Sequence, residues 1–113
     1  MVKSLIRIDI VVPRNDVQAI SDTLKKIEVG GITAITGWGR GKSTVPTIDA
    51  VKETETLTQE FGVRFILQVV VPDNKKNDVI KIVRENSKMG KIFVSSISEA
   101  MDITTGNKDE KAI

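Results

Sequence analysis

The residues of this chain that could do chemistry are concentrated in two short basic runs. The first, GWGRGK (residues 37–42), places Arg40 and Lys42 among three glycines. The second, MGKIFVSSI (residues 89–97), brings Lys91 directly after a glycine. Glycine lets backbone N–H groups approach a ligand closely, and Arg and Lys supply positive charge. Both runs are therefore typical of anion binding.

The amino-acid composition argues against an enzyme. The 113 residues include no cysteine and no histidine, so thiol nucleophiles, disulfides and the commonest acid–base group are missing. No carboxylate pair recurs at a spacing that would suit catalysis. We therefore predict a regulator with no catalytic residues and no metal site.

The chain is long enough for one domain, and it contains an internal repeat. IDIVVPRNDV (residues 8–17) and LQVVVPDNKKNDV (residues 67–79) each run from an apolar strand through proline to Asn-Asp-Val. Each copy continues into a helical pattern and then a further strand, ITAITGW (32–38) or KIFVSSI (91–97). This order predicts a single α+β domain, residues 1–113, of ferredoxin-like (βαβ)2 fold. Both helices would lie on one face of a four-stranded antiparallel sheet.

Local signals indicate where the first helix begins and ends. Asn15, followed three residues later by Gln18, has the pattern of a capping box. The Gly30-Gly31 pair predicts the end of the helix, because glycine favours the left-handed conformation found there.

One face of the predicted sheet has no helix over it. Strand alternation places Leu5, Val11, Ile66 and Val70 on this face among charged and polar residues. Because large apolar patches are seldom left in water, we expect another subunit or RNA to cover the face.

A long polar segment separates the second and third strands. Residues 41–62 are rich in Thr, Glu and Lys and show no apolar period. Loops longer than roughly 12–15 residues are uncommon in compact domains and are usually functional or disordered. We interpret the segment as a partner-binding loop; a plain flexible insertion is the alternative.

An RNA-binding domain of the same fold is an alternative function. KIFVSSI is similar to the RNP2 strand, in which an aromatic ring stacks on a base. RNP2 belongs on the first strand, however, and the third strand, VRFILQVVV, lacks the Gly-aromatic pattern of RNP1. With a net charge of +2 and 4% aromatic residues, the chain is predicted not to bind nucleic acid.

The order of these landmarks resembles that of the PII nitrogen-regulatory signal proteins over essentially the whole chain. GWGRGK, a long loop, VVVPD, GKIFV and a terminal TG…AI occur in the order seen in that family, and the last two are the most specific. The resemblance implies a homotrimer that buries the bare sheet faces. It also implies three clefts between subunits, which hold ATP or ADP, with 2-oxoglutarate bound through Mg-ATP. The segment at about 41–62 corresponds to the T-loop, which docks on transporters and enzymes of nitrogen metabolism.

The resemblance assigns roles to individual residues at the nucleotide site. The positions that match nucleotide-binding residues are Gly37, Gly39, Arg40, Gly90 and Lys91. Lys88 is a further candidate cation for the nucleotide or another anion.

Two further sets of residues are implied for 2-oxoglutarate and for the target protein. Arg64 stands where a lysine pairs with a carboxylate of 2-oxoglutarate, and Gly41 stands where a glutamine contacts the metal and 2-oxoglutarate. The candidate target contacts in the T-loop are Lys42, Ser43, Thr44, Glu53 and Glu55.

Several departures from the family pattern weaken the expected nucleotide site. Lys88-Met89-Gly90 replaces Gly-Asp-Gly, and the paired arginines that reach the phosphates from the neighbouring subunit are Asp102 and Thr104. Each lost arginine removes a charge-assisted contact of roughly 1.5–3 kcal/mol, and Asp102 would repel a triphosphate. We therefore expect weak nucleotide binding, or a preference for ADP, AMP or 2-oxoglutarate alone.

The chain also lacks any tyrosine, which excludes uridylylation or adenylylation of a T-loop tyrosine. Ser43, Thr44 and several other threonines leave phosphorylation open.

The resemblance thus predicts a cytoplasmic regulator with no obligatory cofactor and no segment inserted into a membrane. ATP, ADP, AMP and 2-oxoglutarate are the candidate effectors, and an ammonium transporter or glutamine synthetase is the type of target implied. The alternatives are an RNA-binding ferredoxin-like module, a ferredoxin-like domain that degrades a small molecule, and a PII-like scaffold that has lost nucleotide binding.

Overall fold

The fold is a four-stranded antiparallel sheet with two helices, described by a computed structural model for residues 4–40 and 62–113. In chain order the elements are β1 (Leu5–Val12), α1 (Val17–Lys26), β2 (Thr33–Gly39), β3 (Gly62–Pro72), α2 (Lys76–Asn86) and β4 (Lys91–Ile97). Short 3-10 turns, Arg14–Asp16 and Asp73–Lys75, precede the helices, and a third, Asp109–Ala112, follows β4. The strand order is β2-β3-β1-β4, and each neighbouring pair is antiparallel. The prediction of a ferredoxin-like fold is confirmed.

The core lies between the two helices and the two central strands. One face of β1 and one face of β3 are buried, because side chains alternate along a strand. One stripe of each helix packs against them. The buried cluster includes Ile6, Ile8, Ile10, Val12, Leu67, Val69 and Val71 from the strands and Ile20, Leu24, Val79, Ile82 and Val83 from the helices. Each such side chain contributes roughly 1.5–3 kcal/mol on burial, so this cluster is the main source of stability.

The two edge strands, by contrast, contribute no buried side chain. Every residue of β2 and β4 is exposed or half-buried. Val94 of β4 is 44% exposed although it lies opposite the fully buried Ile8. The helices therefore cover β1 and β3 and leave both edges of the sheet accessible, and such edges readily pair or pack with another chain.

Strand register defines the helix-free face of the sheet. Asp9 of β1 lies between Gln68 of β3 and Phe93 of β4. Two residues further along β1, Val11 lies between Ile66 and Lys91. Charged, polar and apolar side chains thus share this face, as the alternation predicted.

The apolar part of that face differs from the prediction in three residues: Leu5 contributes little, and Ile35 and Phe93 are added. Leu5 is only 4% exposed, so it adds little to the exposed apolar surface. Ile35 is 41% exposed, and the register places it on this face opposite Ile66. Phe93, on the same face, is 59% exposed. A partly apolar sheet face remains in contact with solvent in the single chain.

The start of α1 does not use the predicted capping box. Asn15 lies within the 3-10 turn Arg14–Asp16, and α1 begins only at Val17. Its N-cap, Asp16, makes no side-chain cap hydrogen bond. Gln18 Nε2 instead donates to Asp22 Oδ1 at 2.8 Å. The capping-box prediction is therefore wrong.

The helix also ends earlier than Gly30-Gly31. Glu28 has a φ of 66°, its amide donates to the Lys25 carbonyl, and the Val29 amide donates to the Leu24 carbonyl. This is a Schellman motif with glutamate in the place where glycine is usual. Val29 and Leu24 are both buried in the core, which holds Glu28 in the left-handed conformation.

Gly90 is the glycine that the fold needs most clearly. Its φ is 130°, and a Cβ at this position would overlap the carbonyl oxygen of Val11.

We expect Gly90→Ala to lower the free energy of unfolding by roughly 2–5 kcal/mol, through backbone strain together with steric overlap. Urea unfolding at a fixed protein concentration measures this change. Gly30→Ala is the matched control, because nothing lies within 4 Å of a Cβ there. Equal losses of unfolding free energy in the two variants would contradict the predicted overlap at Gly90.

Candidate anion-binding cleft

A cleft at one end of the helix-free face brings together most of the predicted nucleotide-binding residues. Its volume is about 400 Å³, and parts of all four strands line it. The predicted residues that it contains are Gly37, Gly39, Arg40, Arg64, Gly90 and Lys91. Arg64, which was assigned to 2-oxoglutarate, therefore shares one cavity with the residues assigned to the nucleotide.

The charges around the cleft favour an anionic ligand. Arg40, Arg64 and Lys91 line it, and no Asp or Glu of the described ranges does. A second cavity, of about 540 Å³, is larger, but its charged residues have both signs: Arg7, Lys75, Glu28 and Glu110. Since opposite charges there offset one another, the smaller cleft is the better candidate for anion binding.

The glycines of β2 have two different roles beside Arg64. A Cβ at Gly39 would lie 3.1 Å from Arg64 Cγ, so glycine leaves room for the arginine side chain. Gly37 pairs with Arg64 in the sheet, yet nothing lies within 4 Å of a Cβ there. The fold therefore has no evident need for glycine at position 37. A glycine inside a strand often marks a close approach by a ligand.

Lys91 is held at the cleft by a short, restrained connection between α2 and β4. The Ser87 amide donates to the Val83 carbonyl at 2.9 Å. The Ser87 hydroxyl lies 2.7 Å from Asp16 Oδ2 and 2.9 Å from the Met89 carbonyl, and can donate to one of them at a time. Together with the close packing of Gly90 on Val11, these contacts fix the first residue of β4.

Two aromatic side chains also line the cleft. Trp38 and Phe93 are each 59% exposed. The sequence analysis did not assign Phe93 to the site, but Phe93 shares a strand face with Lys91 two residues earlier. That spacing was the available signal, because alternate strand residues point to the same side.

Lys88 is not among the residues that line this cleft. It lines a neighbouring groove together with Arg84, Ser87 and Lys91. Lys91 therefore lines both cavities, whereas Lys88 lines the neighbouring groove and not the cleft.

Asp102 has a structural use in the C-terminal segment of about 101–113. Its Oδ1 accepts hydrogen bonds from the amides of Thr104 at 2.8 Å and Thr105 at 3.0 Å. Met101 and Lys108 close the same turn through an isolated β-bridge. Neither Asp102 nor Thr104 lines the cleft of its own chain.

The remaining candidates fall in the segment between β2 and β3. They lie outside the described residues: Gly41, Lys42, Ser43, Thr44, Glu53 and Glu55. Within residues 4–40 and 62–113, no group of three or more Asp or Glu side chains is placed to hold a metal ion. No helix in those same ranges is long and apolar enough to cross a membrane.

Comparison with known structures supports the fold. The chain is similar to Arabidopsis thaliana PII bound to citrate, with a TM-score of 0.77 and 23% identity, covering 98% of this chain and 94% of that one. It is equally similar to the B. subtilis GlnK–ATP complex, with a TM-score of 0.77 and 23% identity, covering 100% and 99% of the two chains.

Comparison of sequences establishes the family. The chain is 33% identical over 116 residues to the nifHD1-region GlnB-like protein 2 of Methanosarcina barkeri, covering 91% of this chain and 94% of the relative. It is 31% identical over 101 residues to the nitrogen regulatory protein P-II of Haemophilus influenzae, covering 83% and 87%. The family profile described as nitrogen regulatory protein P-II matches residues 5–107. The chain therefore belongs to the PII family of nitrogen-regulatory proteins.

Proposed function

We propose that this protein is a PII-type regulator that senses small anions at the cleft and acts on a nitrogen-metabolism target. The cleft carries the proposal, because three cationic residues and no Asp or Glu among the described residues line it. Proteins of the PII family are regulatory signal transducers and are generally trimers. A regulator needs an effector site and a contact surface for its target and does not need a catalytic group.

Adenine nucleotides and 2-oxoglutarate are the proposed effectors. The related GlnK was solved with ATP and the related plant PII with citrate. In this chain Lys91 and Arg40 would contact phosphate, and Arg64 would bind a carboxylate through its planar guanidinium. ADP, AMP or 2-oxoglutarate alone is favoured over ATP, because Asp102 and Thr104 stand at the positions of two phosphate-binding arginines.

The target-binding part of the proposal concerns the T-loop at about 41–62. Its length and polar composition favour a docking segment for an ammonium transporter, glutamine synthetase or a similar protein of the cytoplasm. β2 leads into this segment, β3 follows it, and both strands line the cleft. Ligand binding at Gly39, Arg40 or Arg64 would therefore act directly on the two ends of the segment.

A homotrimer is the proposed assembly. It would cover the helix-free face, on which Ile35 is 41% and Phe93 59% exposed, and the accessible edges of the sheet. Light scattering coupled to size exclusion should give about three times the 12.4 kDa chain mass at micromolar concentration. A stable monomer would contradict the assembly and would favour RNA as the occupant of this face.

The role of Lys91 can be tested by calorimetry with ATP, ADP, AMP and 2-oxoglutarate. Lys91→Ala should weaken whichever anion binds by roughly tenfold or more, because a charge-assisted hydrogen bond of about 1.5–3 kcal/mol is lost. Arg64→Ala should weaken 2-oxoglutarate more than a nucleotide. Lys25→Ala, on the exposed side of α1, is the charge-matched control.

Three outcomes of that experiment would reject the assignment. Tight ATP binding that is unchanged in Lys91→Ala would show that the nucleotide lies elsewhere. A short single-stranded RNA that binds when none of the small anions does would identify an RNA-binding module. Binding of no ligand at all would indicate a scaffold that acts through its loop alone.

Gly37 provides a separate test of the cleft, because the fold leaves space at this position. Gly37→Ala should change the free energy of unfolding by no more than about 0.5 kcal/mol. The added methyl group would narrow the cleft and should weaken the bound effector by several-fold. Calorimetry and urea unfolding of the same preparation separate the two effects. Unchanged affinity would show that the ligand does not approach the backbone of β2.

A further inference from the structure

A groove beside the cleft, between the end of α2 and the start of the edge strand β4, carries positive charge that the proposed function does not use. This α2–β4 groove has a volume of about 530 Å³. Its charged lining residues are Arg84, Lys88 and Lys91, and no Asp or Glu of the described ranges lines it. Lys91 also lines the cleft, whereas Arg84 and Lys88 do not. The groove is therefore a second cationic concavity that adjoins the first.

The three cationic side chains of the groove are available to a ligand. All three residues are exposed, and within residues 4–40 and 62–113 none of them takes part in an ion pair. Asp16 lies near this end of the molecule, and its Oδ2 is 2.7 Å from the Ser87 hydroxyl, but Asp16 does not line the groove. The described part of the chain thus leaves the charge of the groove without a partner.

The carboxyl end of α2 does not account for this charge. The unsatisfied carbonyls at the end of a helix carry about half a negative charge. Asn86 Nδ2 donates to the Ile82 carbonyl at 2.8 Å, and the Ser87 amide donates to the Val83 carbonyl at 2.9 Å. Part of the negative end of the helix is therefore already satisfied, and three positive charges exceed what remains.

We propose that the α2–β4 groove is a second anion-binding site and that it takes a phosphate group, as inorganic phosphate or as a phosphate monoester. A phosphate group of a monoester carries about −1.5 to −2 charge at pH 7 and three strong acceptor oxygens, so it matches three cations better than a single carboxylate does. The Arg84 guanidinium can bind two of these oxygens at once, and the two lysines supply compact positive charges.

Lys91 would couple the groove to the cleft, and this regulatory role rests on the proposed function of the cleft. The ammonium group of Lys91 has one charge and three donors to divide between two cavities. Phosphate in the groove would draw this group away from the cleft and would place negative charge beside it. Both effects weaken an anion in the cleft, and the weakening is reciprocal. Phosphate is therefore an antagonist of the effector.

Amide NMR spectra of the isotope-labelled full chain locate the phosphate. Titration with sodium phosphate, at an ionic strength held constant with NaCl, should shift the amides of Ser87, Lys88 and Lys91 saturably. Arg84→Gln and Lys88→Gln should each weaken phosphate by roughly threefold or more, since contacts of exposed charges are individually modest. Lys81→Gln, which is exposed on α2 and does not line the groove, is the charge-matched control and should have no effect.

A parallel titration with glycerol 2-phosphate separates the two forms of the ligand. Saturable shifts of the same groove amides by either compound support the site, and the tighter of the two identifies the form of phosphate that the groove takes. Shifts confined to residues 37–40, or equal phosphate affinity in all variants, would overturn the groove as a phosphate site.

Calorimetry with 2-oxoglutarate or ADP at increasing phosphate concentration tests the coupling. Phosphate should weaken the effector by a factor that levels off at roughly fivefold, because the two ligands occupy different cavities. Arg84→Gln should raise the phosphate concentration that gives half of this effect by the same factor by which it weakens phosphate in the NMR titration. Weakening that grows without limit and is unchanged in Arg84→Gln would show competition within the cleft and would overturn the coupling.

These outcomes are distinguishable from failure of the proposed function. A protein that binds phosphate in the groove but binds neither a nucleotide nor 2-oxoglutarate would overturn the effector cleft and leave the groove standing. A protein that binds an effector in the cleft and shows no phosphate-dependent shifts at residues 87–91 would overturn the groove alone.

Discussion

The structure depends on a geometric limit: two helices cover only the two central strands of this sheet. β1 and β3 are buried on one face and supply the strand side of the core, whereas no residue of β2 or β4 is fully buried and Ile92 of β4 packs only partly against the core. One sheet face and both edges stay accessible as a result. Everything that we attribute to the protein as a regulator lies on those surfaces, which the hydrophobic core does not use.

The position of the cationic cleft follows from the same limit. Strand alternation turns Lys91 and Arg64 to the helix-free face, where a ligand or another subunit can reach them. Glycines then shape the space around them in different ways. Gly90 permits the connection to pass over Val11, Gly39 accommodates the Arg64 stem, and Gly37 leaves open space. A site of this kind is suited to binding an anion, as we propose, and no Asp or Glu of the described ranges lines it.

Sequence patterns were sufficient for the fold because the strands alternate clearly and the repeat shows each β-α-β unit twice. They were insufficient at the ends of α1. The sequence indicates Asn15 as the start of the helix and Gly30-Gly31 as its end. In the structure Asn15 lies within a 3-10 turn, and α1 begins after it. The helix ends before Gly30, because burial of Val29 holds Glu28 in the left-handed conformation.

The candidate site, too, was predicted only in part from the sequence. Spacing and resemblance located the basic and glycine residues that line the cleft. The placement of Lys88 in the adjacent groove and the use of Asp102 in a turn depend on how short loops fold, which neither pattern nor composition specifies. The exposed ring of Phe93 was not predicted, because its place beside Lys91 follows from strand alternation and not from a motif.

The central claim is that the cleft between Lys91, Arg64 and Arg40 binds the effector. Trp38 is the single tryptophan of the chain, lines this cleft and is 59% exposed, so its fluorescence reports directly on occupancy. Titration with ADP, AMP and 2-oxoglutarate should give a saturable change in Trp38 emission that is strongly reduced in Lys91→Ala. Emission that stays constant, or that changes equally in wild type and Lys91→Ala, would contradict the account.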